Sequence, residues 1–115
     1  MSSIATLIGS HRLRYSSEYD LQDGIASILT AAGIGFQREV VLGSDRLDFL
    51  IDGTTALEVK VGGSPSALVR QIHRYAAQGG IESIIVVTTK RQHVIHIPPT
   101  INGKPVEAIH VGAFL

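Results

Sequence analysis

Two carboxylates and an ammonium group fall on neighbouring strand positions of this chain: Asp48, Glu58 and Lys60. Odd positions Leu47, Phe49 and Ile51 are apolar, and so are Leu57, Val59 and Val61 after an Asp52-Gly53 turn signal. Side chains alternate between the two faces of a strand. The pattern therefore predicts that these six share one core-facing surface, with Asp48, Glu58 and Lys60 on the opposite one. A three-residue connection, Asp52 to Thr54, sets Asp48 directly across from Glu58, whereas a two-residue turn would misalign the apolar faces. Facing Cβ atoms stand about 4.5–5.5 Å apart, and carboxylates that close repel unless a cation or a proton intervenes. Lys60 is one such cation. A hard divalent ion is another: Mg²⁺ takes oxygen ligands, keeps several waters and is held by one or two carboxylates plus a phosphate. It promotes attack of water on a phosphodiester by polarising the phosphoryl oxygen and lowering the pKa of the water. Lys60 would then position that water or stabilise the developing negative charge. The alternative is a solvated charged face on an edge hairpin, with Lys60 paired to either acid.

These side chains need a scaffold, and its elements are written locally. Ser17, with Asp20 three residues on, looks like a capping box. Leu21, Ile25, Ile28, Leu29 and Ala32 form one helical stripe, and Gly33 supplies the stop. Glu18 and Gln22 extend the stripe backward, so a carboxylate sits at the core-facing end of the helix; the macrodipole alone also favours an acid there. Phe36 to Leu42, Arg46 to Ile51 and Thr54 to Val61 read as strands. Ser64-Pro65 reads as N-cap and N1 of a helix that runs to about Gln78, carries Leu68, Ile72, Tyr75 and Ala76 on one stripe, and closes at Gly79-Gly80. Ile81 to Thr89 is a strand buried on both faces, which completes a right-handed βαβ crossover. Gln92 to Ile97 reads as a further strand, stopped by Pro98-Pro99. The remainder, Ile101 to Leu115, is ambiguous: Val106 to Val111 suits either a short strand or a helical turn. The expected class is α/β, a mixed central sheet flanked by helices in the order α-β-β-β-α-β-β.

Composition narrows the setting. A length of 115 residues fits a single domain, 1–115, with a core of about 17–97 and a C-terminal tail of 98–115. Apolar content of 44% with zero formal net charge excludes disorder as the main state. The absence of cysteine excludes disulfides, thiol catalysis and Cys-zinc sites. No apolar run approaches a membrane span, and the first residues do not read as a signal peptide. A soluble, cytoplasmic protein is expected, whose contacts with any polyanion come from local patches.

Asp48, followed after a hairpin by Glu58-Val59-Lys60, resembles the PD-(D/E)XK nuclease superfamily. The ordered set is helix acid Glu18, strand Asp48, strand Glu58-X-Lys60 and a crossover helix; Gly43-Ser-Asp-Arg46-Leu-Asp48 is similar to the segment before the metal Asp in many members. Gln71 and Tyr75 look like the Gln-x-x-x-Tyr motif of the recombination-type exonuclease branch. The resemblance covers roughly residues 17 to 90. Leu47 stands where many members have proline, and there is no appended DNA-binding domain, which points away from sequence-specific reading. The resemblance implies a restriction-endonuclease-like core and a metal-dependent DNA endonuclease, structure-selective in the manner of Holliday-junction resolvases. It implies Asp48, Glu58 and the Val59 carbonyl as ligands of Mg²⁺ or Mn²⁺, and Glu18 on a second ion or a metal water. Lys60 would be the catalytic lysine, and Gln71 would hold Lys60 or the attacking water. Tyr75 reads better as an aromatic core residue than as a functional one.

Backbone contact with duplex or branched DNA would come from cations. The candidates are Arg12 and Arg14 before the first long helix and Arg70 and Arg74 four apart on the crossover helix, with Lys90 and Arg91 at a turn. His93 and His96, three apart in a strand, would point to opposite faces, which does not suit a shared metal. Gly62-Gly63-Ser64 reads as the turn that leaves the site strand. The positive mean hydropathy and the apolar end Val111-Gly-Ala-Phe-Leu115 suggest a homodimer. The competing function is a non-catalytic nucleic-acid-binding or assembly module on the same scaffold.

Overall fold

The structure, a computed structural model, describes residues 2–112. Helix α1 (Ser3–Gly9) and helix α2 (Glu18–Ala31) precede a three-stranded meander of β1 (Phe36–Leu42), β2 (Asp45–Ile51) and β3 (Thr55–Lys60). Helix α3 (Pro65–Ala76), strand β4 (Ser83–Thr88), helix α4 (Arg91–His96), strand β5 (Thr100–Ile101) and strand β6 (Lys104–His110) follow. The sheet order is β1-β2-β3-β4-β6-β5. The meander is antiparallel, β3, β4 and β6 are parallel, and β5 returns antiparallel on β6. The result is a mixed sheet flanked by helices. No helix among the described residues is long and apolar enough to cross a membrane.

The helix boundaries follow their caps. The Ser17 side chain accepts from the Asp20 N–H at 3.0 Å, and Gly33, at φ 72°, turns the chain out of α2. Ser64 accepts from the Ala67 N–H at 3.2 Å, and Pro65 opens α3, where its missing N–H costs nothing. Leu21, Ile25 and Leu29 of α2 and Ala5 and Ile8 of α1 cover one face of the sheet, against Phe49, Ile51, Leu57, Val59, Ile85 and Val87. Leu68, Ile72, Tyr75 and Ala76 of α3 cover the other, against Ala56, Ile84 and Val86.

The three-residue connection is present: Ile51 pairs with Thr55, and Asp52 (φ 50°) and Gly53 (φ 75°) make the turn. The single apolar surface is not. Leu47 packs with the α3 cluster together with Val40 and Leu42, whereas Phe49 and Ile51 pack with the α2 cluster. The reversal falls where Glu39, between the paired Arg38–Phe49 and Val40–Leu47, adopts a left-handed φ of 58°. A non-glycine residue there turns its strand over, and β2 turns with it at Asp48.

Three further expectations change. Gln92 to His96 lie in α4 rather than in a strand, because β6 already occupies the position beside β4. His93 and His96 therefore share a helix, three apart, where such positions are neighbours. Of the two readings for Val106 to Val111 the strand is realised, so the segment expected as a tail supplies an interior strand. Helix α1, unexpected, packs on β6, where Glu107 accepts from the Ser2 N–H at 2.8 Å. The element order is therefore ααβββαβαββ. Residues 113–115, on which the dimer expectation partly rested, lie outside the described residues.

Candidate functional site

The β2–β3 ladder stops at Phe49–Leu57, one step short of Asp48 and Glu58. There the Asp48 side chain takes over, its Oδ2 accepting from the Val59 N–H at 2.8 Å. The strand reversal at Glu39 thus coincides with the point where β2 and β3 part and a carboxylate enters the gap. Burial raises the Asp48 carboxyl above its ordinary range; the Val59 N–H and Lys60 oppose the rise, and the charges of Glu18 and Glu39 add to it.

Glu58 is 3% exposed and divided between two partners. Its Oε2 lies 3.2 Å from the Lys60 ammonium, and its Oε1 accepts from the Tyr75 hydroxyl at 2.9 Å. Burial, then the charge of Asp48, push its carboxyl up to about 7, against the pull of Lys60 and Tyr75. Tyr75 is fully buried and also lies 3.0 Å from the Arg46 carbonyl; Gln71 Nε2 donates to its oxygen at 2.8 Å. Burial and the charge of Glu58 hold the phenol far above its usual range, which makes it a fixed donor.

Lys60 lies at the mouth of a cleft of about 250 Å³ lined also by Gly62, Gly63, Ser64, Leu68, Gln71 and Arg74. Glu18 reaches the same end of β3 from the other face of the sheet, its Oε1 accepting from the Val61 N–H at 3.2 Å. The structure thus brings Asp48, Glu58, Lys60 and Gln71 together, with Glu18 close enough for its charge to be felt at Asp48. No hydrogen bond joins Gln71 to Lys60; its amide donates to Tyr75 while the residue also lines the cleft. Among the described residues no group of three or more His, Asp or Glu side chains is placed to hold one ion. An ion here would rest on two carboxylates, with backbone oxygen, water or phosphate completing its shell.

The four arginines expected at DNA do not converge. Arg74 lines the site cleft, its Nε 2.8 Å from the buried Asp45. Arg70 lies one turn earlier, in a separate cleft with His96. Arg12 borders a cleft of about 320 Å³ between the ends of α1 and β6. Arg14 is exposed between α1 and α2.

Two residues acquire roles that sequence reasoning did not give them. Tyr75 is both the core aromatic and the hydroxyl that fixes Glu58; its spacing from Gln71 was the available signal. His93, 1% exposed, joins three segments. Its Nε2 donates to the Gly63 carbonyl at 3.0 Å, so its Nδ1, 2.6 Å from Thr88 Oγ1, accepts from that hydroxyl. Thr88 Oγ1 in turn accepts from the Lys90 N–H at 3.1 Å. The glycine wall of the cleft is thereby tied to the end of β4. No protein-family model, curated protein or solved structure matches the chain.

Proposed function

We propose that this chain is a metal-dependent DNA endonuclease of PD-(D/E)XK type, with a restriction-endonuclease-like core. It hydrolyses phosphodiester bonds with Mg²⁺ or Mn²⁺, selects branched DNA in the manner of a junction resolvase, and acts in the cytoplasm as a homodimer. The observation that carries this reading is the juxtaposition of Asp48, Glu58 and Lys60 at the point where β2 and β3 part, beside an open cleft.

The donor set fits a hard cation. Burial raises both carboxyls, the charge of Asp48 raises that of Glu58 further, and Asp48 Oδ1 makes no hydrogen bond among the described residues. Such a pair is stabilised by a doubly charged oxygen-seeking ion that retains its waters. Asp48 and Glu58 would hold it, with the carbonyl of Val59, the residue after Glu58, as a further oxygen and Glu18 beyond. When bound, the ion would polarise the phosphoryl group and acidify the attacking water.

The remaining work belongs to the chain. Lys60 places its ammonium at the cleft, where it orients the water and donates toward the phosphoryl oxygen on which negative charge grows. Water adds to phosphorus as the bond to the leaving ester oxygen breaks. Tyr75 keeps the Glu58 carboxylate in one orientation, and Gln71 keeps Tyr75. Arg74, held by Asp45, contributes positive potential on the α3 side of the cleft.

A second reading, a binding or assembly module without catalysis, is favoured by the direct Glu58–Lys60 ion pair and the two-carboxylate limit. One experiment separates them. Labelled linear, single-stranded, flapped and four-way-junction DNA are incubated with Mg²⁺, Mn²⁺ or EDTA and with wild type, Asp48→Ala or Lys60→Ala. Metal-dependent cutting, strongest on the junction and lost in both variants, is expected. Intact folding with no cutting of any substrate overturns the nuclease reading in favour of the module.

A further inference from the structure

We propose that α3, α4 and the carboxyl ends of β4 and β6 form a docking track for the backbone of a DNA duplex, leading away from the site cleft; the inference rests on the nuclease reading and names how its substrate is held.

The zero net charge conceals a division. Between Glu58 and Glu107 the chain has six Lys and Arg residues and a single acid, Glu82. Glu82 precedes β4 and donates its N–H to the Thr54 carbonyl, at the edge of the sheet away from the site. The parallel register sets Lys60 beside Thr88 and Thr88 beside His110, so the segments that follow these strands emerge along one edge. Lys90 and Arg91 leave that edge and begin α4, which packs on α3.

The concave surface continues in the same direction. Beyond the site cleft, Arg70 and His96 share a cleft of about 510 Å³ between α3 and α4. Arg91 and His110 share the next, about 280 Å³, between α4 and β6. Carboxylates line none of these three clefts. Lys90, Arg91 and Arg70 are exposed and make no ion pair among the described residues, unlike Lys60 and Arg74, which are engaged at the site. Unpaired exposed cations along a groove free of acids suit a row of phosphates, whose condensed counterions they release.

A duplex fits better than a single strand. Proteins that hold single strands stack bases on aromatic rings, and from Ala76 to Ala113 the chain has no Phe, Tyr or Trp. The track is also rigidly referred to the site. His93 of α4 is bonded to the Gly63 carbonyl of the cleft wall, so a phosphate held by α4 stands at a fixed offset from Lys60.

The test is fluorescence anisotropy of a labelled duplex, in EDTA and on an Asp48→Asn background, across a salt series. Arg70→Gln/Lys90→Gln/Arg91→Gln is compared with Lys104→Gln, a cation at the opposite edge whose Nζ donates to the Gln78 carbonyl. The triple variant is expected to bind at least about tenfold more weakly, with a log K against log salt slope shallower by roughly 2 to 3. Lys104→Gln is expected to match the parent, and the duplex to outcompete a single strand. An unchanged slope, or an equal loss from Lys104→Gln, overturns the track. So does Ile95→Ser, a change at the exposed apolar residue in the Arg91–His110 cleft, altering self-association while the triple variant binds DNA normally, which would make this surface a protein interface. Because binding is read without metal, duplex held by these cations in a protein that cuts nothing leaves the track standing and removes only the nuclease reading. Metal-dependent cutting with undiminished binding by the triple variant does the reverse.

Discussion

The Tyr75 hydroxyl lies 2.9 Å from Oε1 of Glu58, and the two side chains are almost wholly removed from solvent. A residue of the α3 stripe therefore reaches through the core to orient a carboxylate of β3, and the packing of the helix and the geometry of the site are one feature.

Tyr75→Phe keeps the packing and removes the hydroxyl. Gln71 then loses its acceptor, and Glu58 loses a donor. Net hydrogen bonds contribute about 1 kcal/mol, and unsatisfied buried groups cost more. A loss of roughly 1–3 kcal/mol by urea denaturation is expected. Because Tyr75 lowers the Glu58 pKa, the acid limb of the cleavage profile is expected to move to higher pH. An unmoved limb would reduce Tyr75 to a packing residue.

Stability without metal is expected to fall as pH rises. The Glu58 carboxyl stands at about 7 against an ordinary 4.5, and that of Asp48 is also raised. The native state thus binds these protons more tightly than the unfolded chain. The contribution is full below about 4.5 and is lost as pH rises through about 7, roughly 3 kcal/mol for Glu58. Denaturation in EDTA between pH 4.5 and 8 checks the sign, and Glu58→Gln is expected to flatten the profile.

Asp48→Asn is expected to separate activity from stability. The amide oxygen still accepts from the Val59 N–H, but the charge that repels Glu58 is gone. Stability at pH 7 rises by about 0.5–1 kcal/mol, while cleavage falls by roughly a hundredfold or more, at least what indirect metal-site contacts are worth. A variant that is less stable and still active would contradict the placement of Asp48.

His93→Ala opens a cavity, takes the acceptor from the Thr88 hydroxyl proton and takes the donor from the Gly63 carbonyl. A cost of about 3 kcal/mol is expected. Amide exchange should show α4 and residues 62–64 losing protection ahead of α2.

Glu39→Gly releases a left-handed non-glycine backbone, worth about 1–2 kcal/mol, against the extra freedom of unfolded glycine, about 0.5–1 kcal/mol. A net gain of up to about 1 kcal/mol is expected in denaturation, and Glu39→Val should lose stability instead. The exposed Glu39–Arg46 pair contributes little to either.

What the sequence made legible was local. Ser17, Gly33, Ser64-Pro65 and the Asp52–Thr54 loop each determine their own geometry, and the loop length brings Asp48 near Glu58, although the ladder ends one step before them. What it concealed depended on distant partners. No residue type announces a left-handed Glu39, so the change of face at Leu47 could not be read from alternation. Six residues of α4 are too few for a helical period to separate from a strand. Val106 to Val111 becomes a strand because β4 offers an edge, a fact about residues some twenty positions earlier. Gln71 and Tyr75 were visible as a spaced pair; that they grip each other and Glu58 required the depth of the core.

The place of β6 between β4 and β5 bears on how the chain survives its own synthesis. Until residues 104–110 emerge, β4 has an open side, and its Ile84-Ile-Val-Val87 run is uncharged, rich in β-branched residues and free of proline. Such a bare edge invites pairing with another chain. Ribosomal stalling or proteolysis before Lys104 would therefore yield an aggregating product rather than a loosened fold, and the last of the described strands is the one that covers this edge.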